Sequence, residues 1–317
     1  MNNIDVIVFN SHGVGQYAYT DRLPLWGETV AVKNWHVAED GGKGSNVAVA
    51  LGRLGIKTAF VCKVGNDPWG DLGEKWLKEA GVNTKFLYRT DEVSTGTGLI
   101  LINSKGQNLI IDGDSSSRAL LWKEVEEALN QLNTSKFLIT GYEVPYDLAM
   151  KSLKYAKMLN INTVLNPSPL PAHEIDSFEF VDYLFINEHE GEELLKIKNY
   201  KFASEEDILK KLKQVYKCKN IIMTKGSEGV WALIDNEIIR DEAVCISESK
   251  IKNTAGAGDG YMAAFVSELV KENSIKKALK FAKYYAALSI TIEGTIPAYR
   301  PKNEVDEFIK NINVNNH

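Results

Sequence analysis

Residues 253–270 read Asn253-Thr254-Ala255-Gly256-Ala257-Gly258-Asp259-Gly260, then Tyr261 to Val270. In the second part Met262, Phe265, Val266, Leu269 and Val270 keep the three- and four-residue spacing of a helix packed on a core. The spacing predicts a helix that begins close to Gly258 or Asp259, fed by a loop of small residues. Glycine and alanine let backbone N–H groups come close to an anion, and the positive end of the helix dipole adds to the attraction. Phosphate is the natural guest. A carboxylate placed there repels phosphate unless it acts in the reaction. The matching role for Asp259 is general base, taking a proton from a hydroxyl that attacks a phosphoryl group held by the loop. The simpler alternative is an ordinary N-cap aspartate, with glycines that serve only the turn.

Outward from this helix, short apolar runs alternate with amphipathic stretches along the whole chain. Strands are expected at Ile4 to Phe9, Thr58 to Val64, Phe137 to Thr140, Thr163 to Asn166, Tyr183 to Asn187 and Asn220 to Thr224. Helices are expected at Val47 to Leu54, Trp69 to Ala80, Leu121 to Leu132, Leu148 to Leu159 and Ile208 to Tyr216. This alternation, with β-branched strands apolar on both faces, predicts an α/β fold with a mainly parallel central sheet. Two regions break the rhythm: Tyr17 to Val37 and Val93 to Ile111 read as strands without intervening helices. The second is a hairpin of Gly98 to Ile102 and Asn108 to Ile111 around Ser104, Lys105 and Gly106. The two regions can pair as a small extra sheet, either a flap over a cleft or surface decoration. With no linker, repeat or charge block, a single domain over 1–317 is expected, its lid strands roughly within 15–40 and 93–112. The polar end, Asn311 to His317, is expected to fray.

Thirty-seven Lys plus Arg against 42 Asp plus Glu give 317 residues a formal charge of -5, without the basic excess of a nucleic-acid binder. The start is too short and too acidic for a secretory signal, and no apolar run reaches transmembrane length, so a cytoplasmic location without membrane partners is expected. Cys62, Cys218 and Cys245 lie far apart, and His12, His36, His173, His189 and His317 show no ligand spacing, so neither a disulfide framework nor a zinc site is indicated.

A second glycine-rich segment, Gly41-Gly42-Lys43-Gly44-Ser45-Asn46, leads into the helix marked by Val47, Leu51 and Leu54. It lacks Walker spacing, and no dinucleotide fingerprint follows the first strand. Closely set glycines permit near contact with a ligand, and the Asn46 amide offers donor and acceptor together, as sugar hydroxyls do. Lys43 can neutralise phosphate charge. Taken alone, a turn with a helix cap accounts for the segment equally well.

Together the two segments resemble the signatures of the ribokinase-like carbohydrate kinases, the phosphofructokinase-B superfamily. The likeness is collinear over nearly the whole chain. Gly65, Asp67 and Gly70 are similar to the family's Gly-x-Asp-x-x-Gly, and Ser94-Thr95-Gly96-Thr97 to the opening of its lid hairpin. Asn166-Pro167-Ser168-Pro169 resembles its Asn-Pro-x-Pro, Asn187 with Glu190 its Asn-x-x-Glu, and Thr224 to Val230 its Thr-x-Gly-x-x-Gly-Val. The resemblance implies a Rossmann-like three-layer core with a β-sheet lid that also forms a homodimer interface. It implies transfer of the γ-phosphate of ATP, with Mg2+, to a hydroxyl of a sugar or related polyol. By position Asp259 resembles the catalytic base, and Gly256, Ala257 and Gly258 the anion hole. Gly42, Lys43, Asn46 and Glu143 resemble sugar-site residues. Asn187 and Glu190 resemble the pair that organises magnesium and phosphate, Glu190 indirectly, while Thr224, Gly226 and Gly229 resemble the nucleotide side. A sugar-phosphate kinase, a nucleoside kinase and a non-catalytic sugar-binding regulator are the alternatives.

Two departures matter. The family usually carries an acid shortly after the first strand, where this chain has Gly15. The pocket is therefore expected to lose an acceptor unless Gln16, His12 or Asn10 replaces it, and D-ribose is expected not to be the best substrate. Many members also bind a monovalent cation through an acid at the position of Asn253 and a hydroxyl near Ala298. Neither is present, so a weak response to potassium is expected.

Overall fold

Each core strand sends alternate side chains to opposite faces, and the two faces feed two separate cores. Val6 and Val8 of β1 (Val6–Phe9) pack with one group of buried residues, Ile7 and Phe9 with the other. The computed structural model describes residues 3–104, 108–199, 201 and 203–315. After β1 come β2 (Gly13–Tyr19), β3 (Lys33–Val37), α1 (Gly42–Arg53), β4 (Thr58–Gly65), α2 (Pro68–Glu79) and β5 (Asn83–Thr90). The middle of the chain forms β6 (Gly96–Ile102), β7 (Asn108–Asp112), α3 (Trp122–Gln131), β8 (Phe137–Gly141), α4 (Tyr146–Met158) and β9 (Asn162–Asn166). Next are β10 (Tyr183–Asn187), α5 (Glu188–Ile197), α6 (Glu205–Tyr216), β11 (Asn220–Thr224), β12 (Val230–Ile234) and β13 (Glu237–Asp241). Three helices close the described chain: α7 (Ala257–Val270), α8 (Ile275–Ser289) and α9 (Lys302–Asn315).

The main sheet has nine strands in the order β13-β12-β11-β10-β9-β8-β1-β4-β5, parallel from β5 to β11. Val6 pairs with Thr58 on one side and Phe137 on the other, so β1 lies inside the sheet. Residues of α1, α2, α7 and α8 fill the core on one face, and those of α3 to α6 fill the other, giving three layers. The second sheet, ordered β3-β2-β6-β7, joins the two regions that broke the rhythm. Its central pair, β2 and β6, runs parallel from Gly13↔Gly96 to Tyr19↔Ile102.

Three local expectations are corrected. Helix α1 starts at Gly42, not Val47, so Gly42, Lys43 and Gly44 are its first turn rather than a lead-in loop. Two of the three are glycines, poor helix formers, and a neighbouring and a distant side chain hold the turn: Asp40 Oδ1 accepts from Gly42 N–H (3.1 Å) and Glu143 Oε2 from Lys43 N–H (3.0 Å). The segment from Asn311 is helical as far as Asn315, because α9 is anchored upstream by Val305, fully buried, and Ile309. Lastly, β12 and β13 form an antiparallel hairpin that went unpredicted. Its turn is Asp235-Asn236, both with positive φ (48° and 72°), the conformation a two-residue hairpin turn requires. Lys105, Gly106, Asn316 and His317 lie outside the described residues.

Candidate active site

Parallel strands end together, and the chemistry-bearing residues sit at those ends. Asn10 and Ser11 follow β1, Glu143 follows β8, Asn166 ends β9, Asn187 ends β10 and Thr224 ends β11, all at the carboxyl edge where open α/β sheets bind ligands. The lid sheet hangs over this edge. Between them lies a cleft of about 800 Å³, walled by Ser11, Asp40, Gly42, Lys43 and Glu143 from the core, Tyr17 and Ile100 from the lid, and Asn253 to Ala255 from the glycine loop.

Helix α7 begins at Ala257, with Gly256 as N-cap in the left-handed region (φ 72°) and no side-chain cap. That φ excludes most residues, and a Cβ on Gly256 would stand 2.4 Å from Tyr299 Oη, which donates to the Gly256 carbonyl at 3.0 Å. The first-turn N–H groups of α7 are thus held in place and left without a side-chain partner. A Cβ on Gly258 would meet nothing within 4 Å, so open space adjoins this turn. Asp259 is the third residue of the helix, not its N-cap. Its Oδ2 accepts from Asn46 Nδ2 (3.0 Å), and its Oδ1 lies 4.0 Å from Lys43 Nζ. Burial raises the Asp259 carboxyl above the usual carboxylate range despite the opposing Lys43 charge, which favours proton acceptance. Lys43 is in turn raised, chiefly by Asp259.

Glu143 stands beside Lys43 on the core wall, accepting from Ser11 Oγ and from Lys43 N–H (3.0 Å). Burial pushes its carboxyl up to about 7, against the lowering influence of Lys43 and Ser11. The folded chain therefore holds a proton on Glu143 that the unfolded chain releases near 4.5, and stability falls as pH rises from about 4.5 to 7. Glu143→Gln stays neutral throughout and should gain stability relative to the parent across that window. Urea midpoints of the two proteins at pH 5 and pH 7.5 measure the gain, and parallel curves would contradict the perturbed carboxyl.

Among proteins of known family, the match is to the pfkB family carbohydrate kinase model, over residues 11–303. The chain belongs to the pfkB family of carbohydrate kinases. It is 30% identical over 323 residues to a ribokinase of Dictyostelium discoideum, covering 96% of this chain and 99% of that one. It is 27% identical over 316 residues to a deoxyribokinase of Salmonella typhi, covering 96% and 99%. In fold it is similar to the Arabidopsis thaliana ribokinase solved with ribose and ATP (TM-score 0.86, 24% identity, 97% and 99% covered). As a pfkB-family member the chain is an ATP-dependent sugar kinase.

At the carboxyl end of β10 in this pfkB kinase, Asn187 and Glu190 cap α5 reciprocally: Asn187 N–H donates to Glu190 Oε2 (2.9 Å) and Glu190 N–H to Asn187 Oδ1 (2.8 Å). The pair caps a helix, and the Glu190 charge reaches Lys43 and Asp259 as a minor influence. Thr224 pairs with Asn187 across the strands, and Gly226 (φ 53°) and Gly229 (φ 96°) shape the turn into β12. Beside them Lys225, its side chain 4% exposed, is ringed by Glu188, Glu205 and Glu228. Asn46 braces Asp259 rather than lining the open cleft: its Oδ1 accepts from Thr295 Oγ1 (2.8 Å) while its Nδ2 holds Asp259.

Sequence reasoning missed Asp40, Ser11, Tyr17, Thr295 and Tyr299. Asp40 adjoins the glycine segment and was open to notice, whereas Thr295 and Tyr299 sit in a loop without periodicity. None of the three residues weighed as replacements for an acid at Gly15 takes that place. Gln16 Oε1 accepts from Trp35 Nε1 (2.9 Å) on the lid surface, His12 is buried against Ser45 Oγ (2.8 Å), and Asn10 Oδ1 takes Ser11 N–H (2.9 Å). Among the described residues no His, Cys, Asp and Glu cluster could hold a metal, and no helix is long and apolar enough to cross a membrane.

Proposed function

We propose that this kinase transfers the γ-phosphate of ATP to a hydroxyl of an unphosphorylated sugar in the cleft, with Asp259 as general base. The carrying observation is the position of Asp259: a buried carboxylate with a raised pKa, at the open N-terminus of α7 and facing Lys43. The sugar lies between lid and core, against Lys43, Gly42 and Glu143. The amides of Ala257 and Gly258, set by Gly256, hold the γ-phosphate oxygens. Asp259 accepts the hydroxyl proton as the sugar oxygen bonds to the γ-phosphorus and the bond to the β-phosphate oxygen breaks, so ADP leaves. Thr224, Gly226 and Gly229 line the nucleotide.

Magnesium fits the donor set, because Mg2+ keeps several waters and needs only one or two carboxylates beside the phosphates. Glu190 is the carboxylate that would hold it through water, and the ion supplies neutralisation of phosphate charge. Within the cleft wall, Lys43, Arg118 and Lys252 stand against Asp40, Asp112, Glu143 and Glu293, three cations to four acids, which disfavours a sugar phosphate. Tyr17 and Tyr19 lie on one lid strand with no aromatic lining the opposite wall among the described residues, which disfavours a sandwiched nucleobase. A coupled ADP-release screen over pentoses, hexoses, ketoses, polyols, nucleosides and hexose phosphates tests the reading. Turnover with no free sugar would overturn it.

The same reading covers location and assembly. The cytoplasm supplies ATP, and a homodimer through the lid accounts for Trp35, Val37 and Ile111, apolar residues left exposed on its strands.

Potassium should matter little. Asn253 brings no formal charge, its Oδ1 is engaged by Ala255 N–H (2.9 Å), and the Ile290 carbonyl already accepts from Lys252 N–H (2.8 Å) and Asn253 N–H (3.3 Å). Ala298 offers no side-chain oxygen. Initial rates in potassium-free and potassium-containing buffers of equal ionic strength should agree within a few-fold, and a tenfold activation would refute this.

A further inference from the structure

The cleft wall beside Gly15 carries a carboxylate from another part of the chain. A Cβ built on Gly15 would lie 3.4 Å from the Asp40 Cβ, 3.4 Å from the Ala38 Cβ and 2.9 Å from Ile100 Cδ1, so the glycine leaves room for the Asp40 side chain. Asp40 lines the cleft. Its Oδ1 accepts from Gly42 N–H (3.1 Å) and Asn46 Nδ2 (3.4 Å), and Thr295 Oγ1, whose proton goes to Asn46 Oδ1 (2.8 Å), lies 3.1 Å away. No hydrogen bond reaches its Oδ2 among the described residues. The Asn46 amide that approaches Asp40 also holds Asp259 (3.0 Å), which sets the two carboxylates on either side of one side chain.

We propose that Asp40 is the residue that binds the hydroxyl groups of the sugar and selects for them, a role within the sugar-kinase reading above. A carboxylate oxygen accepts and cannot donate, so it repels a carbonyl or an unprotonated ring nitrogen and takes hydroxyl donors. Because its other oxygen is held by two N–H donors of the core, the carboxylate is fixed before the sugar arrives and gives discrimination as well as affinity. The substrate class is therefore a sugar with free hydroxyls along the edge facing Asp40, close to the attacking hydroxyl at Asp259. The expectation that demoted D-ribose assumed a wall without an acid; Asp40 removes that premise.

The test measures kcat/KM for the best sugar from the screen and for its series of monodeoxy analogues, by ADP release, in the parent, Asp40→Ala, Asp40→Asn and Gly15→Asp/Asp40→Ala. The parent should reject at least one monodeoxy analogue by tenfold or more, about the value of a hydrogen bond to a charged group. In Asp40→Ala that discrimination should shrink to about threefold or less. The sugar KM should rise by at least about tenfold while the KM for ATP stays within about twofold. The double variant, which moves the carboxylate to the adjacent position, should recover part of the discrimination, as a purely structural Asp40 would not allow. Unchanged discrimination in Asp40→Ala overturns the role of Asp40 alone. Absence of turnover with every free sugar in the parent overturns the kinase reading on which it rests.

Discussion

Asp259→Asn should lower kcat by at least about 100-fold, with the KM for ATP near that of the parent, the loss expected for a positioned general base. The amide fills the same space and, by turning its oxygen toward Asn46 Nδ2, now 3.0 Å from Oδ2, can still accept that hydrogen bond. What it cannot do is accept the proton, and it also removes the charge facing Lys43 at 4.0 Å. Single-turnover rates with saturating sugar and ATP isolate the step. Retention of most activity would remove Asp259 from the reaction and leave it as a structural acid.

Gly258→Val should damage nucleotide use more broadly, lowering kcat/KM for ATP by about 100- to 1,000-fold, the range seen when an oxyanion donor is lost. The fold has no reason to object to the side chain itself, because a Cβ at 258 meets no atom within 4 Å. The valine methyls would occupy the space that a transferring phosphate needs next to the first-turn amides of α7. Thermal unfolding of this variant should match the parent, and binding of ATP measured by calorimetry should weaken. Normal ATP affinity would place the anion hole elsewhere.

Much of this site was readable because it lies where periodicity stops. The strand ends at Asn166, Asn187 and Thr224 were located to within a residue, since two-sided apolar runs break off abruptly at polar residues. The lid strands were legible as alternation without helices between them. What stayed hidden depends on contacts between distant segments. The start of α1 is fixed in part by Glu143, 100 residues downstream of Lys43, and no local signal reports that. Tyr299 and Thr295 support the turn into α7 and Asn46 from a loop that follows no repeat. The filling of the space at Gly15 is of the same kind, a contact between strand β2 and the segment leading into α1 that only the fold creates.

The contact between Gly15 and Asp40 also constrains how such a pocket can change over generations. The two positions are 25 apart in the chain yet share one small volume, so a mutation at either is judged in the light of the other. An acid gained at 15 while Asp40 remains crowds two negative charges against Ile100 and Ala38. Asp40 lost while Gly15 remains leaves that corner of the wall with none. Every single-step path between the two arrangements passes through one of these handicapped intermediates, so the pair is inherited as a unit. In a comparison of related sequences, substrate preference is then predicted by positions 15 and 40 jointly and by neither alone.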